Sequence, residues 1–265
     1  LGSVFHRWSD GFAGSEMGKK SVKKKGLEEE AREYWRLSEY DERVQDQSHW
    51  LGSARWDRGR WLAYGDFHGG LVLRLLREHA PAGYTTRLVD KAALDWGCGG
   101  GANLRALCGI FGRVTGVDVS VATVAQCEKQ LRLLGCENFA TLCFPADLPG
   151  TVLERLGPAT FDFVFSAAVF QHFPSRDYTL RVLEVMEKLM KPGACGLVQV
   201  RYDDGSDKLR QKESDYAKNV IYMTSFKAGE FAEQLKTAGL TMLSYGRDLD
   251  NPEDRHEYFF FRKEG

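Results

Sequence analysis

Ala93-Leu94-Asp95-Trp96-Gly97-Cys98-Gly99-Gly100-Gly101-Ala102-Asn103-Leu104 decides the reading of this chain. An apolar run of strand length ends beside an acid, passes through a cluster of glycines and enters a segment of helical composition. Glycine accepts the left-handed backbone of a tight turn and lets the main chain approach a ligand closely, while the first turn of a helix offers N–H groups. The spacing Gly97-x-Gly99-x-x-Ala102 also satisfies the dinucleotide fingerprint, so the loop alone does not choose between cofactors.

Three acids at successive strand ends narrow the choice. Asp95 closes the first strand, where a carboxylate suits a cationic ammonium but repels a pyrophosphate. Val114-Thr115-Gly116-Val117-Asp118 ends the next strand with an acid about 20 residues after the first glycine, at the place where ribose hydroxyls are met in either cofactor class. Phe144-Pro145-Ala146-Asp147-Leu148 puts a third acid after the next strand, where it could accept from an adenine amino group. A lone Asp is more often a cap or a loop carboxylate. Three at successive strand ends are expected to share a ligand outside the carboxyl edge of a parallel sheet.

Outward from this segment, strands alternate with helix-length stretches. Strands are expected at residues 92–95, 114–117, 139–144, 161–166 and 195–200, with helices at 102–110, 121–134 and 177–190. A helix at 227–238 and two strands at 240–249 and 257–262 close the chain. The pattern predicts an α/β, doubly wound, mainly parallel sheet.

In these motifs and their order, residues from about 91 to 262 resemble the class I S-adenosylmethionine-dependent methyltransferases. Phe161-Asp162-Phe163-Val164-Phe165-Ser166-Ala167-Ala168-Val169-Phe170-Gln171-His172-Phe173 looks like the family's fourth strand and the loop beside the methyl donor. Leu189-Met190-Lys191-Pro192-Gly193-Ala194-Cys195-Gly196-Leu197 looks like its turn into the fifth strand. The resemblance implies a seven-stranded sheet whose last strand is antiparallel, with S-adenosyl-L-methionine as cofactor. It implies a cofactor site built from Asp95, Trp96, Gly97, Cys98, Gly99, Asp118, Val119, Asp147, Leu148 and Ser166. Trp96 departs from the small or aliphatic residue common there; filling space below the loop is preferred over packing on the methionine portion. His172 is the candidate catalytic residue, to orient the acceptor or take its proton.

The expected activity is methyl transfer to an O, N or C atom of a small-molecule acceptor by in-line displacement at the sulfonium, where alignment and water exclusion supply most of the catalysis. Ser166-Ala167-Ala168-Val169 carries no carboxylate where catechol-type enzymes place a magnesium ligand, so no metal is expected. The same stretch lacks the Asn/Asp-Pro-Pro-aromatic motif of enzymes acting on nucleic-acid bases. A nicotinamide-dependent oxidoreductase, a cap-type RNA methyltransferase and a catalytically silent cofactor-binding protein remain as alternatives.

Residues 1–26 read as a basic flexible arm around Lys19-Lys20-Ser21-Val22-Lys23-Lys24-Lys25. Residues 27–90 read as a helical lid or substrate region, with helices over 27–47, 54–64 and 70–79; 91–265 form the Rossmann-like domain. Tyr34, Trp35, His49, Trp50, His68, Tyr202 and Tyr222 are further pocket candidates, the last two flanking a polar stretch at 203–218 expected to act as a binding loop.

Composition limits the remaining choices. The 265 residues, 43% hydrophobic, can build a core, and 36 basic against 37 acidic side chains give no bias toward nucleic acid. No run is long and apolar enough to cross a membrane and no apolar secretory core opens the chain, so a cytoplasmic enzyme is expected. The six cysteines lack metal or disulfide spacing and read as small buried hydrophobes.

Overall fold

The computed structural model describes residues 26–207, 209–247 and 255–265. The basic arm therefore lies outside the described residues, as does Leu249 at the end of the sixth expected strand. Three helices come first: α1 (Leu27–Arg36), α2 (Glu42–Gln47) and α3 (Arg58–His79). Strands and helices then alternate through β1 (Ala92–Trp96), α4 (Ala102–Cys108), β2 (Arg113–Asp118), α5 (Val121–Leu133), β3 (Phe139–Cys143), α6 (Gly150–Leu156), β4 (Phe161–Ser166), α7 (Arg176–Leu189) and β5 (Met190–Arg201). The short α8 (Tyr216–Asn219), α9 (Ala228–Thr237), β6 (Leu240–Arg247) and β7 (His256–Lys263) complete the chain.

Among the described residues the strands form one sheet of seven in the order β3-β2-β1-β4-β5-β7-β6. β1 to β5 pair in parallel, and β7 inserts antiparallel between β5 and β6. The doubly wound architecture and the antiparallel last strand are thus as expected. Side chains alternate across each strand with period two. Leu94, Val164, Phe259 and Phe261 therefore enter one core beneath α7 and α9, while Ala93, Phe163, Phe165 and Phe260 enter the other beneath α3, α4 and α5.

Polar side chains start the main helices. Asp57 accepts from Arg60 N at α3, Ser120 from Thr123 N at α5 and Ser175 from Tyr178 N at α7, satisfying amides that have no partner within the helix.

Four elements differ from expectation. The helix expected over 27–47 is broken at Leu37–Glu39 into α1 and α2. α3 runs unbroken through Gly65, Gly69 and Gly70, where two separate helices are predicted. A Cβ on Gly65 would lie 2.2 Å from the Ala102 carbonyl oxygen and one on Gly69 would lie 3.3 Å from Ala106 Cβ. These glycines permit close packing of α3 on α4, which outweighs their poor helix propensity. β5 starts at Met190 rather than residue 195, with an irregularity that takes up Lys191-Pro192-Gly193-Ala194 in its pairing with β4. α6 falls where no helix is predicted; no side chain caps its start at Pro149-Gly150.

Candidate active site

The glycine segment forms a turn with left-handed backbone at Gly97 (φ 76°), Gly99 (φ 52°) and Gly101 (φ 94°). Side chains are excluded there on two counts. A Cβ on Gly97 would come within 2.4 Å of Val169, and one on Gly99 within 2.7 Å of the Ser48 carbonyl oxygen.

The amides of this turn are already engaged. Gly97 N and Cys98 N donate to Val117 O (2.7 and 3.0 Å), Gly99 N to Asp118 Oδ2 (3.0 Å), Gly100 N to Ser48 O (2.6 Å) and Gly101 N to Cys98 O (3.0 Å). The N–H groups expected to meet a ligand are those of the first turn of the following helix, and the turn amides are not among them. These five amides stabilise the turn itself, and a pyrophosphate would find no donor among them.

A cleft of about 830 Å³, counting the open space at its mouth, lies above the turn. Trp96, Gly97, Cys98, Gly99, Asp118, Val119 and His172 line it among the expected residues. Asp95, Asp147, Leu148 and Ser166 do not. Ser166 is fully buried and donates to Trp96 O at 2.8 Å, which joins β4 to β1. Leu148 is 54% exposed on the outer surface.

Asp95 and Asp147 nevertheless carry buried oxygen atoms, Oδ2 and Oδ1 respectively, that have no hydrogen-bond partner. Burial, reinforced by the nearby Asp118, pushes the Asp95 carboxyl up to about 8. Asp118 is also raised by burial, against the opposing effect of the Ser120 and Gly99 amides. The other Asp147 oxygen pairs with Arg32 of α1 at 2.9 Å. Trp96 is 1% exposed, packs 5.2 Å from Phe144 and borders the cleft.

The 27–90 region forms the opposite wall. Glu28 pairs with Arg181 at 2.5 Å and Glu30 accepts from Tyr216 N at 3.0 Å. Trp35 Nε1 donates to Tyr216 Oη (2.8 Å), which donates to His172 O (2.6 Å), while the Trp35 ring meets the His172 ring edge-on at 5.1 Å. His172 Nδ1 donates to Val220 O at 2.8 Å, so Nε2 carries the lone pair, which accepts from Gln171 Nε2 at 3.4 Å. Burial lowers its pKa to about 4, so the ring is neutral at pH 7.

Of the further pocket candidates, Trp35 and His49 border the cleft. Tyr34 buttresses Trp35, Trp50 donates to Thr123 Oγ1 and His68 lies behind Asn103. Tyr202 and Tyr222 are not in its lining; Tyr216, which sequence reasoning missed, is. Its signal was its place as the one aromatic between Asp203 and Lys218. Among the described residues Asp118 is the only Asp, Glu, Lys or Arg of the lining, and burial holds His49 neutral with a pKa of about 3. Among the described residues no group of three or more His, Cys, Asp or Glu side chains could hold a metal ion, and no helix is long and apolar enough to cross a membrane.

Comparison with known proteins agrees with this geometry. Residues 94–195 match the model of a methyltransferase domain. Similar curated proteins include ubiquinone biosynthesis O-methyltransferases from Burkholderia vietnamiensis (31% identical over 106 residues, 40% of this chain and 42% of the relative). Another is from Pseudoalteromonas translucida (28% over 136 residues, 51% and 53%). The matched regions thus span about half the length of these relatives or less.

Solved structures share the fold at low identity. A SAM-dependent methyltransferase from Aquifex aeolicus aligns with TM-score 0.55 at 19% identity, covering 84% of this chain and 98% of that one. The magnesium protoporphyrin IX methyltransferase from Synechocystis, with bound SAH, gives 0.60 at 14% (89% and 99%). A 4+2 cyclase gives 0.61 at 15% (90% and 96%).

Proposed function

We propose that this chain is a class I S-adenosylmethionine-dependent methyltransferase that transfers a methyl group to a small-molecule acceptor without a metal ion, a reading supported by the matched methyltransferase domain and the shared fold. The observation that carries the reading is the pairing of an amide-engaged glycine turn with two buried carboxylates, Asp95 and Asp118. That arrangement favours the cationic amino-acid end of S-adenosylmethionine over a dinucleotide pyrophosphate.

The residues present fit the cofactor. Asp118, with two backbone donors, retains acceptor capacity for ribose hydroxyls. The orphaned Asp147 Oδ1 suits an adenine amino group, and Asp95 Oδ2 suits the ammonium. When bound, the cofactor supplies an electrophilic sulfonium methyl. The chain's own contribution is alignment and exclusion of water by the lid formed by residues 27–90.

The acceptor is proposed to be neutral and flat, with a hydroxyl as the methylated group. Trp35, Phe173, Tyr178 and Tyr216 give the cleft an aromatic wall, with no Lys or Arg in the lining among the described residues. The neutral His172 Nε2 would exchange its long contact with Gln171 Nε2 (3.4 Å) for the hydroxyl proton of the acceptor. The O-methyltransferase names of the curated relatives support oxygen over nitrogen or carbon.

Incubation with methyl-labelled S-adenosylmethionine and a panel of phenols, anilines and carboxylic acids tests this. Label is expected in the phenol ethers. Transfer confined to carboxylates would contradict the acceptor assignment.

A further inference from the structure

A buried chain of polar side chains connects the two walls of the cleft. Ala168 N donates to Gln199 Oε1 at 2.7 Å, and Gln199 Nε2 donates to Tyr258 Oη at 2.8 Å. Tyr258 Oη lies 3.1 Å from His68 Nε2, and His68 Nδ1 lies 2.9 Å from Asn103 Oδ1. The four side chains come from β5, β7, α3 and α4 and are 2–7% exposed. Both ends of the chain, Ala168 and Asn103, border the cleft.

The direction of each bond follows from the one before it. Ala168 N–H is a fixed donor, held in left-handed backbone (φ 58°), so Gln199 presents its oxygen to it and its amide nitrogen to Tyr258. The phenol accepts that bond and, in the assignment that matches Asn103 Oδ1 facing His68 Nδ1, gives its proton to His68 Nε2. An imidazole accepting at Nε2 carries its proton on Nδ1, which donates to Asn103 Oδ1. The Asn103 carboxamide is thereby fixed with its oxygen toward His68 and its Nδ2 donors left for the cleft side.

We propose that His68 and Tyr258 are positioning residues that set the Asn103 amide to donate to the carboxylate of the cofactor's amino-acid end. This rests on the reading of the cleft as an S-adenosylmethionine site. Among the described residues the lining holds no Lys or Arg and the glycine-turn amides are engaged, so a neutral donor is the group this lining offers to the anionic end of a zwitterion. A flipped Asn103 would face that carboxylate with its own oxygen. Because His68 sits on α3, the relay makes the N-terminal helices part of cofactor recognition.

Binding of two probes to the full chain tests the relay: S-adenosylhomocysteine, and 5′-methylthioadenosine, which lacks the amino-acid end. Tyr258→Phe keeps the ring and removes the relay proton. It is expected to weaken S-adenosylhomocysteine binding about tenfold and leave methylthioadenosine binding unchanged. Asn103→Asp should give a larger loss with the same selectivity, since it sets a carboxylate against a carboxylate. Unchanged S-adenosylhomocysteine binding in both variants, or equal losses for both probes, overturns the relay. A wild-type chain that binds neither probe overturns the cofactor reading itself, and the relay with it.

Discussion

Gly100 donates its amide to the carbonyl of Ser48 at 2.6 Å, so the segment following α2 lies directly on the glycine turn. The N-terminal helices are structurally continuous with the cofactor cleft. A Cβ on Gly100 would fall 2.3 Å from His49 O and 2.9 Å from Trp50 Cα, main-chain atoms that a rotamer change cannot move.

Gly100→Ala is therefore expected to destabilise the fold by about 1–3 kcal/mol through overpacking and to weaken S-adenosylhomocysteine binding. Thermal melts with and without ligand measure both effects. A wild-type melting temperature with wild-type binding would show that the Ser48 contact is dispensable.

Asp95 gives a pH prediction whose sign follows from its raised pKa of about 8 against an ordinary 3.8. Between those values the folded chain holds a proton that the unfolded chain lacks. Stability of the ligand-free protein thus falls as pH rises through this window. Binding of a cationic ligand favours the ionised form, so below pH 8 it releases protons and affinity increases with pH. Calorimetry at pH 7 in buffers of different ionisation enthalpy should detect this release. Asp95→Asn should raise the melting temperature at pH 8 and lower ligand affinity.

His172→Ala is expected to reduce turnover by about 10²-fold while changing S-adenosylhomocysteine affinity little, because the ring meets Trp35 and Val220 on the proposed acceptor side. Steady-state kinetics paired with ligand titration separates the two effects. An equal loss in both would place His172 in cofactor binding instead.

The Arg32–Asp147 pair tests the lid. Arg32 is 42% exposed in its side chain, so Arg32→Ala should change stability by less than about 1 kcal/mol. Asp147→Ala should weaken adenosine-containing ligands about tenfold by removing the proposed acceptor for the adenine amino group. Unchanged affinity in a folded Asp147→Ala variant would leave this acid as a tether for α1 alone.

The sheet was legible because each parallel strand is a short apolar run whose alternate residues enter different cores, as in Phe163-Val164-Phe165. The acids at the ends of β1 and β2 were legible because strand ends and glycines mark the carboxyl edge of the sheet. Long-range pairings were not. Nothing near Asp147 in sequence indicates Arg32, 115 residues away, and nothing near Gly65 shows that its missing side chain admits the Ala102 carbonyl. Tyr216 was hidden for the same reason: it is an isolated aromatic in a polar stretch, buried only because α1 folds across it. Ser166 was assigned to the cofactor by family pattern, whereas its hydroxyl is directed to Trp96 O within the sheet.

The central claim is that the cleft over Gly97–Gly101 recognises an adenosyl amino acid rather than a dinucleotide. Isothermal titration of the chain with S-adenosylhomocysteine and, separately, with NAD tests it most directly. Saturable micromolar binding of S-adenosylhomocysteine, weakened in Asp118→Ala, with no heat from NAD, is the expected result. Saturable NAD binding with none by S-adenosylhomocysteine would contradict the account.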